Sequence, residues 1–123
     1  MTFGVVIVDD ASDLRFLLEQ AIHRDGRLRV LASVGDGQAG LDAVERHRPD
    51  IVLMDVSMPV MDGLTATRCL RARHPELPVV IFTGFADDEL AVSAQKAGGS
   101  AFLAKDRPLT EVIATLYDEA ATR

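Results

Sequence analysis

Residues 51–63 read IVLMDVSMPVMDG. Four apolar residues run without a break into Asp55, a Met58-Pro59 turn follows, and the stretch closes on Asp62-Gly63. An apolar run this short, bounded by turn residues, reads as a strand buried on both faces, the pattern of a parallel sheet covered by helices. A carboxylate at the end of such a strand is costly unless a partner or a chemical use goes with it. The same grammar recurs along the chain. Residues 3–8 (FGVVIV) end in Asp9-Asp10, residues 28–34 (LRVLASV) in Gly35-Asp36-Gly37, residues 78–82 (PVVIF) in Thr83, and residues 100–103 are followed by Lys105.

Helix patterns fill the intervals. Leu14, Leu17, Leu18, Ala21 and Ile22 recur at helical spacing and predict an inward stripe, with Ser12 as a cap and Asp13 adding negative charge to the first turn. A second helix covers 38–47, with Leu41, Ala43 and Val44 inward and Pro49 behind it. Gly63 opens a third that runs to His74 before Pro75. Asp87, Asp88 and Glu89 start a fourth, with Leu90, Ala91, Ala94 and Ala97 on its inner side and Gly98-Gly99 as its stop. Pro108 opens the last, whose stripe is Leu109, Val112, Ile113, Leu116 and Ala120. The alternation predicts an α/β domain with a five-stranded parallel sheet, doubly wound and flavodoxin-like, (βα)5, for which strand order 2-1-3-4-5 is a common solution.

The 123 residues fit one domain, spanning 1–123, and leave no room for a second. No apolar run approaches the roughly 20 residues of a membrane helix. The opening MTFGVVIVDD lacks the basic segment and small-residue cleavage site of a signal peptide. A single cysteine, Cys69, excludes an internal disulfide and reads as a small core residue. Together these give the expectation of a cytoplasmic protein. With 19 acidic against 13 basic residues the net charge is −6, which argues against direct nucleic-acid binding, where clustered Lys and Arg must neutralise phosphates. His23, His47 and His74 fall near helix ends, where a solvated role is expected, and lack metal-site spacing.

In a doubly wound sheet, ligands bind beyond the carboxyl ends of the strands. Asp9, Asp10, Asp55, Thr83 and Lys105 all fall on that edge, and the expectation is an Asp55 exposed there with partners around it. Alone, each has a plainer reading: a turn, a helix cap, a solvated charge. Together they restrict the chemistry. Carboxylates about 4 Å apart repel by roughly 4 kcal/mol at an effective dielectric near 20, and their cluster calls for a hard divalent cation, Mg²⁺ being the one that suits few carboxylates, waters and a phosphate. A carboxylate beside such a metal can attack phosphorus to form an acyl phosphate. Thr83 can donate its hydroxyl to a phosphoryl oxygen and Lys105 can form a charge-assisted bond to another.

VVIVDD, DIVLMDVSMPVMDG, VVIFTG and AFLAK, in this order, resemble the receiver domain of two-component response regulators, and the resemblance covers essentially the whole chain. It implies a signalling switch that assists its own phosphorylation and dephosphorylation, with no enzymatic action on an outside substrate. It implies Asp55 as phosphoacceptor, served by a sensor histidine kinase or phosphotransfer protein. Asp10 would ligate Mg²⁺ (or Mn²⁺) directly and Asp9 through water, alongside Asp55 and the backbone carbonyl of Ser57. Thr83 would move toward the phosphoryl group, Lys105 would pair with it, and Phe102 would turn inward as the aromatic switch residue, without the hydroxyl a tyrosine would bring. The readout implied is the face of the fourth helix, fifth strand and fifth helix, with the loop 84–87 as a movable part. Ser57 and Phe85 stand where the family tunes acyl-phosphate lifetime, and an apolar Phe85 would shield the phosphoryl group from water.

Asp106 stands where many members have proline, so a cis bond after Lys105 is not carried over, a non-proline cis peptide costing about 3 kcal/mol. The segment GGSAFLAKD is similar to regulators with a LuxR-type helix-turn-helix output. It favours a receiver covalently linked to a DNA-binding output domain, outside this chain, over a single-domain regulator. A homodimer, through the first and fifth helices or the fourth-helix face, stays open. An aspartate-nucleophile phosphatase would need its two carboxylates spaced two apart and a substrate cap. A flavin binder would need a Ser/Thr/Gly-rich loop where DDASD stands. The alternative that survives is a phosphorylation-independent, receiver-like interaction domain.

Overall fold

The computed structural model describes residues 2–122. Strands and helices alternate as β1 (Phe3–Val8), α1 (Ser12–Asp25), β2 (Leu28–Val34), α2 (Gly37–His47), β3 (Ile51–Asp55), α3 (Gly63–Arg73), β4 (Val79–Thr83), α4 (Asp88–Ala97), β5 (Ala101–Ala104) and α5 (Leu109–Ala121). All strand pairs are parallel and the sheet order is β2-β1-β3-β4-β5, the flavodoxin-like arrangement expected from the alternation.

Strand periodicity splits the core into two. Val5, Ile7, Ile51, Leu53, Val80 and Phe82 point to one face and pack with Leu18 and Ile22 of α1 and Val112, Ile113 and Leu116 of α5. Their alternates Val6, Val8, Val52, Met54, Val79 and Ile81 point to the other, against Leu41 and Val44 of α2, Ala66 and Leu70 of α3 and Ala94 of α4. Because both faces of every central strand are covered, the strands carry apolar residues throughout instead of alternating. Cys69 is half-buried beside the second cluster.

Several local expectations are corrected. Ser12 does not cap α1: the capping position falls on Ala11, which offers no side-chain acceptor. The turn there is closed instead by Asp9, whose Oδ1 accepts from the Ala11 N–H at 2.9 Å. Leu17 does not join the inward stripe but is 54% exposed beside Phe16, since the sheet accepts only the narrower ridge through Leu14, Leu18, Ala21 and Ile22. His74 is not merely solvated: its Nε2 lies 2.8 Å from Glu45 Oε1 and ties the end of α3 to α2. That bond, with Arg48 and Arg73 nearby, holds the Glu45 carboxyl below its usual range. Asp36, Asp62 and Asp87 each cap the following helix, accepting from Ala39, Thr65 and Leu90 N–H groups. Every peptide bond among the described residues is trans.

Three strands run one residue further than the apolar runs. β3 ends on Asp55, β4 on Thr83 and β5 on Ala104. Asp55 pairs in register with Phe82, and Thr83 with Ala104. The sheet therefore draws Asp55 and Thr83 inside its own ladder.

Candidate functional site

The β1–α1, β3–α3, β4–α4 and β5–α5 loops meet at the carboxyl edge of the sheet. Asp55 is 4% exposed, a correction to the expectation of an exposed carboxylate, and Asp9 (1%) and Thr83 (5%) are equally enclosed. Asp10, two residues past the end of β1, is exposed. Oxygens of Asp9, Asp10 and Asp55 all lie within 4.8 Å of one another. Lys105 reaches in from the end of β5, placing Nζ 2.8 Å from Asp9 Oδ2 and 3.1 Å from Asp55 Oδ1. Its stem is fixed by a backbone bond, the Lys105 N–H donating to the Thr83 carbonyl at 2.7 Å, and the ammonium lies 5.7 Å from the centre of the Phe82 ring.

The electrostatics follow from this enclosure. Burial, reinforced by the neighbouring Asp9, pushes the Asp55 carboxyl up to about 6, with Lys105 opposing the rise. Burial also works against the charged form of Lys105, but Asp9 and Asp55 outweigh it and hold the ammonium above its ordinary value. Asp9 Oδ2 is fully buried and faces the Lys105 ammonium at 2.8 Å. Three carboxylates whose oxygens gather within 4.8 Å, answered by a single lysine, have the donor chemistry of a hard divalent cation site. The acidic cluster thus fits Mg²⁺.

Thr83 Oγ1 accepts from the Phe85 N–H at 3.1 Å, so the hydroxyl is engaged by its own loop. Phe85 itself is 82% exposed. Ser57 is exposed in the turn after β3. Phe102, in register with Ile81, is half-buried on the α4 side of the sheet and lines a shallow cleft of about 250 Å³ with Ala91, Ala94, Gln95, Gly99 and Ser100. It therefore stands on the neighbouring face of β5 and not in the acidic cluster.

Two contributors were not read from the sequence. A side chain at Gly63 would place its Cβ 1.7 Å from the Asp55 carbonyl oxygen, so the α3 start can close over Asp55 only as glycine. The Asp62-Gly63 pair had signalled only a turn and a helix start. Arg15, on the first turn of α1, donates from Nη1 to the Asp9 carbonyl at 2.6 Å. The only sequence signal for it is an arginine one helical turn beyond Ala11, a spacing that also suits a solvated charge.

A doubly wound 2-1-3-4-5 sheet that gathers acidic groups and a lysine at its carboxyl edge has them where open α/β sheets take their ligands. Residues 5–117 match the family model described as the response regulator receiver domain. The chain belongs to that family, the receiver domains of two-component response regulators. It is 40% identical over 114 residues to the DNA-binding transcriptional regulator NtrC of Klebsiella pneumoniae, a match covering 93% of this chain and 24% of that protein. It is 34% identical over 110 residues to a protein-glutamate methylesterase/protein-glutamine glutaminase of Azospirillum brasilense, covering 88% and 28%. The chain thus spans about a quarter of the length of these curated relatives. A two-component response regulator of the LuxR family from an Aurantimonas species superposes with a TM-score of 0.93 at 28% identity, covering 100% of this chain and 88% of that one. Among the described residues no helix is long and apolar enough to cross a membrane.

Proposed function

We propose that Asp55 accepts a phosphoryl group from a sensor histidine kinase or phosphotransfer protein, and that the modified domain acts as a signalling switch. The observation that carries this reading is the Lys105 ammonium set 3.1 Å from Asp55 Oδ1 and 2.8 Å from Asp9 Oδ2 at the one sheet edge where three carboxylates converge. With its pKa near 6, Asp55 is mostly ionised at pH 7.5 and available as a nucleophile. Its carboxylate oxygen forms the O–P bond while the donor's N–P bond breaks, leaving an acyl phosphate and a neutral imidazole on the donor once a proton is taken up. Asp9, Asp10, Asp55 and the Ser57 carbonyl are the groups to hold Mg²⁺ (or Mn²⁺), which supplies charge neutralisation for the transferring group. Lys105 stays in reach of the new phosphoryl oxygens and exchanges a carboxylate partner for a more highly charged one.

Phosphorylation then biases an existing equilibrium by its differential contacts. For Thr83 to donate to a phosphoryl oxygen its hydroxyl proton must turn away from the Phe85 carbonyl, 3.5 Å off, which couples the site to the exposed 84–87 loop. Phe102 and the small-residue side of α4 are the adjoining parts that repack, so the output face is α4, β5 and α5. The name of the NtrC relative, a DNA-binding transcriptional regulator, supports a transcriptional output in a linked DNA-binding domain. The domain on this reading assists its own phosphoryl gain and loss and does not act on an outside substrate.

Intact mass after incubation with Mg²⁺ and acetyl phosphate tests the reading. A phosphoryl adduct is expected in the native chain and none in Asp55→Asn or without Mg²⁺. A folded sample that never gains the adduct would overturn it in favour of a phosphorylation-independent interaction domain. Phe85→Glu is expected to speed dephosphorylation by admitting water, and an unchanged rate would remove the shielding role of Phe85.

A further inference from the structure

We propose that Arg15 is a positioning residue for the acidic pair Asp9-Asp10, acting on the peptide unit that joins them. The inference rests on the metal-binding reading above. The Asp9 carbonyl belongs to the peptide linking Asp9 to Asp10, and Arg15 Nη1 donates to it at 2.6 Å. Because a peptide unit is planar, holding its oxygen sets the rotation of the whole unit and so the backbone angles on both sides of it.

Every other freedom of Asp9 is already taken up. Its N–H donates to the Val34 carbonyl at 3.0 Å, its Oδ1 accepts from the Ala11 N–H at 2.9 Å, and its Oδ2 faces Lys105. Asp10 differs. Its carboxylate is exposed and is held by no hydrogen bond or ion pair among the described residues, so its aim depends on its backbone. The remaining constraint on that backbone is the guanidinium, which arrives from α1 and lies close against Gly35 after β2, 3.4 Å from where a Cβ would stand. Arg15 thereby ties the β1–α1 loop to a rigid helix.

Charge and position make opposite predictions. A cation beside an acidic cluster repels an incoming divalent ion, so an Arg15 that acted only as a charge would weaken Mg²⁺ binding, and its removal would tighten it. An Arg15 that sets the aim of Asp10 strengthens binding, and its removal loosens it, as loss of a residue supporting metal ligands commonly does.

The experiment is an Mg²⁺ titration followed by amide shifts in ¹⁵N-labelled protein, comparing the native chain with Arg15→Met, Arg15→Gln, Arg15→Lys and Asp10→Asn. We expect Arg15→Met and Arg15→Gln to weaken Mg²⁺ binding about tenfold, with spectra otherwise native-like, and Arg15→Lys, which keeps a donor, to recover most of the affinity. Unchanged or tighter binding in either neutral variant overturns the positioning role. Absence of saturable shifts in the native chain overturns the metal reading itself, a distinct outcome read from the native and Asp10→Asn samples alone.

Discussion

With its pKa pushed up to about 6 from 3.8, Asp55 binds more proton in the folded chain than in the unfolded one across that interval. Stability from this group is therefore fully present below about pH 3.8 and is lost as pH rises through about 6. Replacing Asp55 by Asn removes the burden: in metal-free buffer at pH 7.5 the variant is expected to be more stable by up to about 3 kcal/mol. The gain should shrink to a small fraction near pH 3.5, where the carboxyl is mostly neutral in both states, and urea melts at the two pH values check it. Lys105 works the other way. Its removal in Lys105→Met leaves two enclosed carboxylates without their cation, and a loss of about 1–3 kcal/mol at pH 7.5 is expected, discounted for the partial exposure of the lysine. The same variant should raise the Asp55 pKa further, which carboxyl-carbon NMR titration would detect.

The segment between β3 and α3 concentrates the backbone constraints around the site. Gly63 brings the start of α3 against the Asp55 carbonyl, where an added Cβ would stand 1.7 Å from a backbone oxygen. Relief needs a shift of main chain, so Gly63→Ala is expected to cost more than about 2 kcal/mol in a denaturant melt and to move the Asp55 amide resonance as the loop gives way. Val60, in the same loop, shows the reverse. It is a β-branched residue at φ +69 and 83% exposed, so strain there is not repaid by burial. Val60→Gly should stabilise the fold by about 0.5–1 kcal/mol, the relief of a left-handed conformation less the added freedom of the unfolded glycine. No stabilisation in a thermal melt would mean that the valine is anchored by the loop.

At the scale of the molecule, a group that binds only the native state raises its stability by mass action, about 2.7 kcal/mol at a hundredfold excess over Kd. Mg²⁺ should therefore raise the melting temperature of the native chain and leave Asp10→Asn nearly unmoved, a difference readable by scanning calorimetry. It should also shrink the advantage of Asp55→Asn, because the ion offsets the repulsion that the substitution removes. The two helical faces carry these effects unequally. The α1 and α5 side is closed by large aliphatic side chains, whereas α4 meets the sheet through Ala94 and Ala97 beside the half-buried Phe102, the thinner contact and the easier one to shift.

Strand identity, helix order and the convergence of Asp9, Asp10, Asp55, Thr83 and Lys105 on one edge were legible in the sequence. Short apolar runs bounded by turn residues and alternating with helix patterns read as doubly covered strands, and side chains at strand ends share an edge once the strands are parallel. Enclosure was not legible. Whether Asp55 lies inside or outside the ladder turns on one residue of register against Phe82, and apolar pattern cannot see a register that neighbouring strands impose. Leu17 was misread for a related reason, since helical spacing marks a stripe but only the partner surface sets its width. The reach of Arg15 to the Asp9 carbonyl and the closure of Gly63 over Asp55 join residues through space, by distances that composition and spacing do not encode. The chain's own pattern determined the fold class and the set of chemical groups. Packing alone decided how dry those groups are and how tightly they are aimed, because desolvation and orientation belong to the assembled surface around each atom.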